Sequence, residues 1–171
     1  IVQYSSPVQI PGTTWPTDIG TSDGVIKLST TLNALCAIKT DGTMWNWGQN
    51  YSGTLGQNQA SNNAQYSSPV QVPGTTWKTL CVLGTNARTI SAIKTDGTLW
   101  AWGRNNYGQV GQSNTTEYSS PVQIPGTTWK AGKGGGRDIV AVVKTDGTLW
   151  AWGSNTYGTL AQNNRTQYSS P

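Results

Sequence analysis

The chain has 171 residues, of which 35% are apolar and 11% charged; it carries a net charge of +4, 21 Gly, 9 Trp and 7 Tyr, and neither Phe nor His. Low charge combined with aromatics and turn-formers excludes a disordered chain, and no stretch approaches the ~20 apolar residues of a membrane helix. The absence of His removes the commonest general base and metal ligand, and with it Ser-His-Asp and Cys-His nucleophiles.

The chain does not begin with Met, its single Met is Met44, and no signal peptide is visible. A processed product or part of a longer array is therefore expected. In chain order, Tyr4-Ser5-Ser6-Pro7-Val8-Gln9-Ile10-Pro11-Gly12-Thr13-Thr14-Trp15 comes first. It returns at Tyr66 and at Tyr118, and begins again at Tyr168, spacings of 62, 52 and 50 residues. A period near 50 with Trp-Gly signatures marks a propeller-type repeat. Residues 1–171 thus form one array, with units at about 4–65, 66–117 and 118–167.

Each unit predicts four short strands. In the middle one, Val70 to Val72 is the first, with Pro69 tolerated at its start. Trp77 to Leu83 is the second, after a Pro73-Gly74 turn. A variable loop from Gly84 to Arg88 leads to the third, Thr89 to Lys94. An Asp96-Gly97 turn leads to the fourth, Leu99 to Gly103; Asp-Gly between apolar runs is a strong hairpin signal. This hairpin block, Lys94-Thr95-Asp96-Gly97-Thr98-Leu99-Trp100-Ala101-Trp102-Gly103, recurs at Lys39–Gly48 and Lys144–Gly153.

Trp100 and Trp102 share one face of their strand, and Leu99 and Ala101 take the other. Both faces are apolar, so sheets stacked on both sides are expected. Burying one Trp of about 150–250 Å² is worth roughly 4–6 kcal/mol as an upper bound. Trp47, Trp102 and Trp152 are expected in the core, and Trp45, Trp100 and Trp150 partly exposed.

The long connection that follows carries Asn105-Asn106-Tyr107-Gly108-Gln109-Val110-Gly111, with relatives starting at Asn50 and Asn155. Asn and Gly suit positive-φ positions and side-chain-to-backbone bonds. Leu55, Val110 and Leu160 are expected to plug these loops into the core. Ala161 stands where Gly is expected, which predicts a less tight third turn.

A Trp-Gly dipeptide closing an Asp-Gly hairpin, followed by N-x-x-G-x-L-G at a 50-residue period, resembles the regulator-of-chromosome-condensation repeat family. The resemblance covers essentially the whole chain. It implies an all-β fold: propeller blades of four antiparallel strands, commonly seven to a ring, of which three repeats make part. The founding member is a nuclear guanine-nucleotide exchange factor for a small GTPase, and none of its contact residues match positions here. Members often carry a Gly-Gly-x-His-Ser-like stretch before the hairpin; Gly132 to Arg137 keeps only the glycines. The near-identity of the repeated blocks resembles bacterial and phage versions of the family.

Catalytic chemistry finds little purchase. The carboxylates are Asp18, Asp23, Asp41, Asp96, Glu117, Asp138 and Asp146, and three of them are turn residues that satisfy local backbone. The two Cys, Cys36 and Cys81, stand at unrelated repeat positions and make no zinc site. They read as small buried thiols. Gly132 to Arg137 lacks P-loop spacing, so a flexible or closely packed loop is the better reading of it than an anion nest. Asn50, Asn114 and Asn164 head N-x-S/T sequons of the kind a polar chain contains by chance. Lys130, Lys133 and Arg137 are too few for a nucleic-acid footprint.

The chain is thus expected to be a non-enzymatic structural or binding module without cofactor or metal. The leading expectation is a virion component, such as a tail fibre or capsid decoration, with a virion or extracellular location. The alternatives are a bacterial surface adhesin and a regulatory propeller acting on a small GTPase. The expected partners are other protein subunits or a host receptor, with a homo-oligomer or a longer chain completing the ring, and without membrane insertion. Recognition is expected at segments that vary between copies, at Arg88, Lys133 and Arg137, because loops on rigid scaffolds are where binding is placed.

Overall fold

The computed structural model describes residues 5–19, 25–59, 64–81, 86–132 and 138–171. These form three antiparallel sheets and, among the described residues, no α-helix. The first sheet has the order β1 (Leu28–Thr30), β2 (Ala34–Ile38), β3 (Met44–Gln49) and β4 (Gln65–Val72). The second has β5 (Trp77–Leu80), β6 (Thr89–Lys94), β7 (Leu99–Gly103) and β8 (Tyr118–Ile124). The third has β9 (Trp129–Ala131), β10 (Ile139–Lys144) and β11 (Leu149–Gly153), with Tyr168 bridging to Gly153 at its edge.

The sheets are out of phase with the sequence units. Val70 to Val72 lie in β4 and pair with β3, so they close the first sheet rather than open the second. A sequence of identical repeats can be cut anywhere, and hydrogen bonding chooses the cut. Pro69 and Pro121 sit in edge strands at bulges, where the register shifts opposite Trp47 and Trp102. Proline costs no ladder bond at such positions.

The hairpins form at the expected positions, with Ile93 opposite Leu99 and Ile90 opposite Trp102. Their turns are longer than the Asp-Gly pair alone. The Gly97 N–H donates to Lys94 O at 3.0 Å and the Lys94 N–H to Thr98 O at 3.0 Å, with Gly97 at φ +79°. This is a three-residue loop, a type I turn followed by a left-handed glycine.

Both faces of β7 are covered. Its Trp102 packs into a cluster with Cys36, Ile38, Met44 and Val72 of the first sheet. Its Leu99 and Ala101 pack with Trp129, Val142 and Trp152 of the third. The indole of Trp102 also donates to Thr54 O of the preceding loop (2.9 Å), and that of Trp152 to Gln109 O (2.8 Å). Trp102 and Trp152 are fully buried. Trp47, expected in the core with them, is only half-buried. No strand precedes the first sheet among the described residues, and Trp47 keeps the ring contact common to the three copies, to Trp15 at 5.9 Å as Trp102 has to Trp77 at 5.9 Å, without a preceding sheet over it. Trp45 and Trp100 are half-buried and Trp150 is 36% exposed.

The long loops share one internal brace. The Asn50, Asn105 and Asn155 carboxamides accept from the N–H of Leu55, Val110 and Leu160 at 2.8–2.9 Å. Their amide groups donate onward to carbonyls at residues 59, 114 and 164. All three Asn and the three apolar plugs are buried. Ala161 does not loosen its turn: its φ is +55°, in the left-handed region occupied by Gly56 and Gly111, and its N–H still reaches Gly158 O at 3.1 Å.

Candidate partner-binding face

The strands present two different ends to solvent. At the hairpin-turn end, the three copies repeat one construction. Lys94 Nζ lies 4.8 Å from the ring of Trp77 and 4.0 Å from that of Trp100. Lys39 sits in the same way between Trp15 and Trp45, and Lys144 between Trp129 and Trp150. Two aromatic faces attract each ammonium by cation–π interaction while its stem covers apolar surface. Beside it, the Trp100 indole donates to Thr98 Oγ1 (2.9 Å), and that hydroxyl donates to Asp96 Oδ1 (2.7 Å). The signal available in the sequence is the fixed six-residue step from each Lys to the first Trp of the following strand.

The carboxyls of Asp41, Asp96 and Asp146 are held below the ordinary aspartate range. The hydroxyl of the Thr two residues on is the largest cause, followed by that Thr's backbone N–H, with the nearby Lys adding to both. These groups stabilise turns. Among the described residues, no group of three or more His, Cys, Asp or Glu is placed to hold a metal ion. Cys36 and Cys81 are free and buried, and burial pushes both thiols up to about 12. That keeps them protonated and unreactive at neutral pH.

At the opposite, loop end the backbone bonds repeat but the charged side chains do not. Arg88 is half-buried there, its guanidinium stacked 4.2 Å from the ring of Tyr51, which belongs to the preceding loop. Its carbonyl accepts from the Arg104 N–H at 2.9 Å. Arg104 pairs with Asp138 across to the third sheet at 3.6 Å, and Gln109 donates to the same carboxylate at 3.3 Å. Ser52 donates to Glu117 at 2.8 Å. Each of these contacts joins neighbouring loops, so the end is a preset surface with cationic and anionic groups fixed beside one another. Of the residues singled out in sequence, Arg88 belongs to this surface, while Lys133 and Arg137 lie outside the described residues. Arg104, Asp138 and Tyr51 were not singled out; their pairing depends on which loops become neighbours.

Antiparallel sheets of four, four and three strands, stacked face to face with a ~50-residue period, define a partial β-propeller. Models of the regulator of chromosome condensation (RCC1) repeat match residues 96–142 and 135–159. Protein RCC2 of Homo sapiens is 28% identical over 105 residues, 58% of this chain and 20% of that protein. The RCC2 homolog of Danio rerio shows the same identity, over 21% of its length. The chain therefore spans about a fifth of these relatives. Among solved structures, Prp20p from Saccharomyces cerevisiae superposes with a TM-score of 0.71 at 18% identity, over 86% of this chain and 37% of that one. Human WBSCR16 superposes with a TM-score of 0.69 at 19% identity, over 88% and 38%.

These relatives overturn the expected virion or extracellular location. They are eukaryotic proteins, and Prp20p is described by its binding to Gsp1p and histones.

Proposed function

We propose that the chain is a non-enzymatic, regulatory protein-binding segment of a propeller that engages its partner through the loop end around Arg88. One observation carries this reading. The repeated side chains of the hairpin blocks are consumed in packing and turn-building, whereas the non-repeating Arg88, Arg104, Glu117 and Asp138 are held by contacts between neighbouring loops at the other end of the strands. Support comes from proteins of the same fold. Prp20p is described by its binding to Gsp1p and histones, and yeast RCC1 has been captured bound to Kap60. The family resemblance further implies nucleotide exchange on a small GTPase as the regulated step.

The test passes Gsp1p and core histones separately over the immobilised full chain. Saturable binding of at least one is expected, weakened about tenfold or more by Arg88→Glu, since charged groups in a preset interface act as anchors. Binding of neither, or binding indifferent to Arg88→Glu, would overturn the reading. If Gsp1p is the partner, the chain should also speed release of its bound nucleotide.

A further inference from the structure

The first two long loops share one length and one Asn brace, yet they turn differently. In Asn105-Asn106-Tyr107-Gly108 the Gly108 N–H donates to Asn105 O at 3.0 Å, and neither Asn106 nor Tyr107 is left-handed. In Asn50-Tyr51-Ser52-Gly53 the matching bond lengthens to 3.4 Å, and the Thr54 N–H donates to Tyr51 O at 3.2 Å. Ser52 at φ 56° and Gly53 at φ 77° are both left-handed, the geometry of a type I′ turn. Gly, Asn and Asp take such positions readily, whereas an ordinary L-residue is disfavoured there by about tenfold.

Contacts to the second sheet hold Ser52 in this conformation. Its hydroxyl donates to Glu117 Oε1 at 2.8 Å, and the Cζ of Arg88 lies 4.2 Å from the ring of the adjoining Tyr51. Glu117 stands just before β8 and Arg88 just before β6. The rest of the loop is anchored on its own account. The Asn58 N–H donates to Ser119 O at 2.9 Å, and Leu55 is fully buried. Both turn forms also fit the same seat: a Cβ on Gly53 would lie 2.6 Å from Ser119 Cα, and one on Gly108 2.4 Å from Ser169 Cα. The strain is thus confined to residues 51–53, which can turn over without undocking the loop.

We infer that the Tyr51–Ser52 turn is a two-state latch on Arg88. Left-handed at Ser52, it clamps the guanidinium in the pose described above. Flipped to the form of residues 105–108, it lets Arg88 go. In that form Tyr51 takes the place of Asn106, which is exposed to solvent, and Ser52 leaves Glu117. Strain of this kind persists only where its surroundings over-determine it, so the cost at Ser52 sets the balance between the two states. The latch is a property of the free chain; its effect on binding rests on the reading that Arg88 anchors a partner. On that reading the latched form is the competent one, and the unlatched fraction lowers affinity in proportion.

The test compares Ser52→Gly with Ser52→Ala in the full chain. Both lose the bond to Glu117, and they differ chiefly in the cost of a left-handed φ. The latched-to-unlatched ratio should therefore be about tenfold higher in Ser52→Gly. The readout is the NMR shift of the Arg88 Nε–H, which the Tyr51 ring current moves upfield while the latch is closed. Tyr51→Ala supplies the reference without a ring. The unaltered chain and Ser52→Gly should be shifted upfield of that reference, and Ser52→Ala should lie closer to it. Unchanged indole N–H signals of Trp102 and Trp152 show that each variant is folded. Equal Arg88 shifts in Ser52→Gly and Ser52→Ala would overturn the latch. In a second arm, Gsp1p and core histones are passed over the same chains. The protein that binds the unaltered chain should bind Ser52→Ala several-fold more weakly than Ser52→Gly, and equal affinities would overturn the control of binding. Binding of neither protein would overturn the reading of Arg88 as an anchor, and the Arg88 shifts would still decide the latch.

Discussion

The second and third sheets are built from the same Lys-Thr-Asp-Gly-Thr-Leu-Trp-Ala-Trp-Gly block, and among the described residues they differ in what covers it: β8 pairs beside β7 and the third sheet packs on it, while neither has a counterpart at β11. In the second, Leu99 and Ala101 are fully buried and Gly97 lies under a neighbouring carbonyl. In the third, Leu149 is largely exposed, and a Cβ on Gly147 would meet open space. Trp152 is nonetheless as buried as Trp102, because its face looks back onto the second sheet. A residue in this array thus takes its energetic role from its neighbours as much as from its type, as expected of repeat proteins whose stability sums over interfaces.

The sharpest way to break this comparison is to substitute its glycines. Gly97→Ala places a Cβ 2.2 Å from Thr127 O at a left-handed φ, and Gly147→Ala meets only the φ penalty. The first should cost about 3 kcal/mol or more and the second about 1–2 kcal/mol, by urea unfolding of the dilute chain. Equal losses would mean that the next repeat does not close over the turn. A smaller effect of opposite sign is expected at Ala161, which holds φ +55° where the other copies have Gly. Ala161→Gly should raise stability by up to about 1 kcal/mol, read as a higher Tm.

The smallest expected effect lies at the turn aspartates. Their carboxyls are held below the ordinary range by the Thr hydroxyl first, then its N–H, then Lys. A lowered folded pKa gives stability that is present above the unfolded value and lost as pH falls through the folded one. Asp96→Asn should therefore flatten the acid limb of a stability–pH curve slightly, and leave it unchanged at neutral pH apart from a constant offset. An acid limb as steep as that of the unaltered chain would count against the Asp–Thr link.

Much of this was legible in the residues. Leu-Trp-Ala-Trp is apolar on both faces of a strand, so stacking on both sides could be read directly. Asn-x-x-Gly-x-Leu-Gly announced a loop with a buried plug, and Asp-Gly placed the hairpins. The boundary between sheets was not legible, since nothing in Val70 to Val72 says whether it pairs backwards or forwards. Trp47 was misjudged for the same reason: its dipeptide equals the others, and only its place at the front of the stack exposes it. The placing of Lys39, Lys94 and Lys144 between two indoles was not legible, because the second indole of each pair comes from a different segment of the repeat. At the loop end, Arg88 was legible as a non-repeating cation on a scaffold. Its stacking on Tyr51 and the Arg104–Asp138 pair were not, because they join loops more than 30 residues apart.

The most direct measurement compares the unfolding free energies of Leu99→Ala and Leu149→Ala in the dilute, single-chain state. The account predicts a loss of about 2–5 kcal/mol for the first, as for a buried leucine. It predicts a change within about 0.5 kcal/mol for the second, as for an exposed one. Equal losses would contradict the claim that a following sheet is what turns this repeated strand into core.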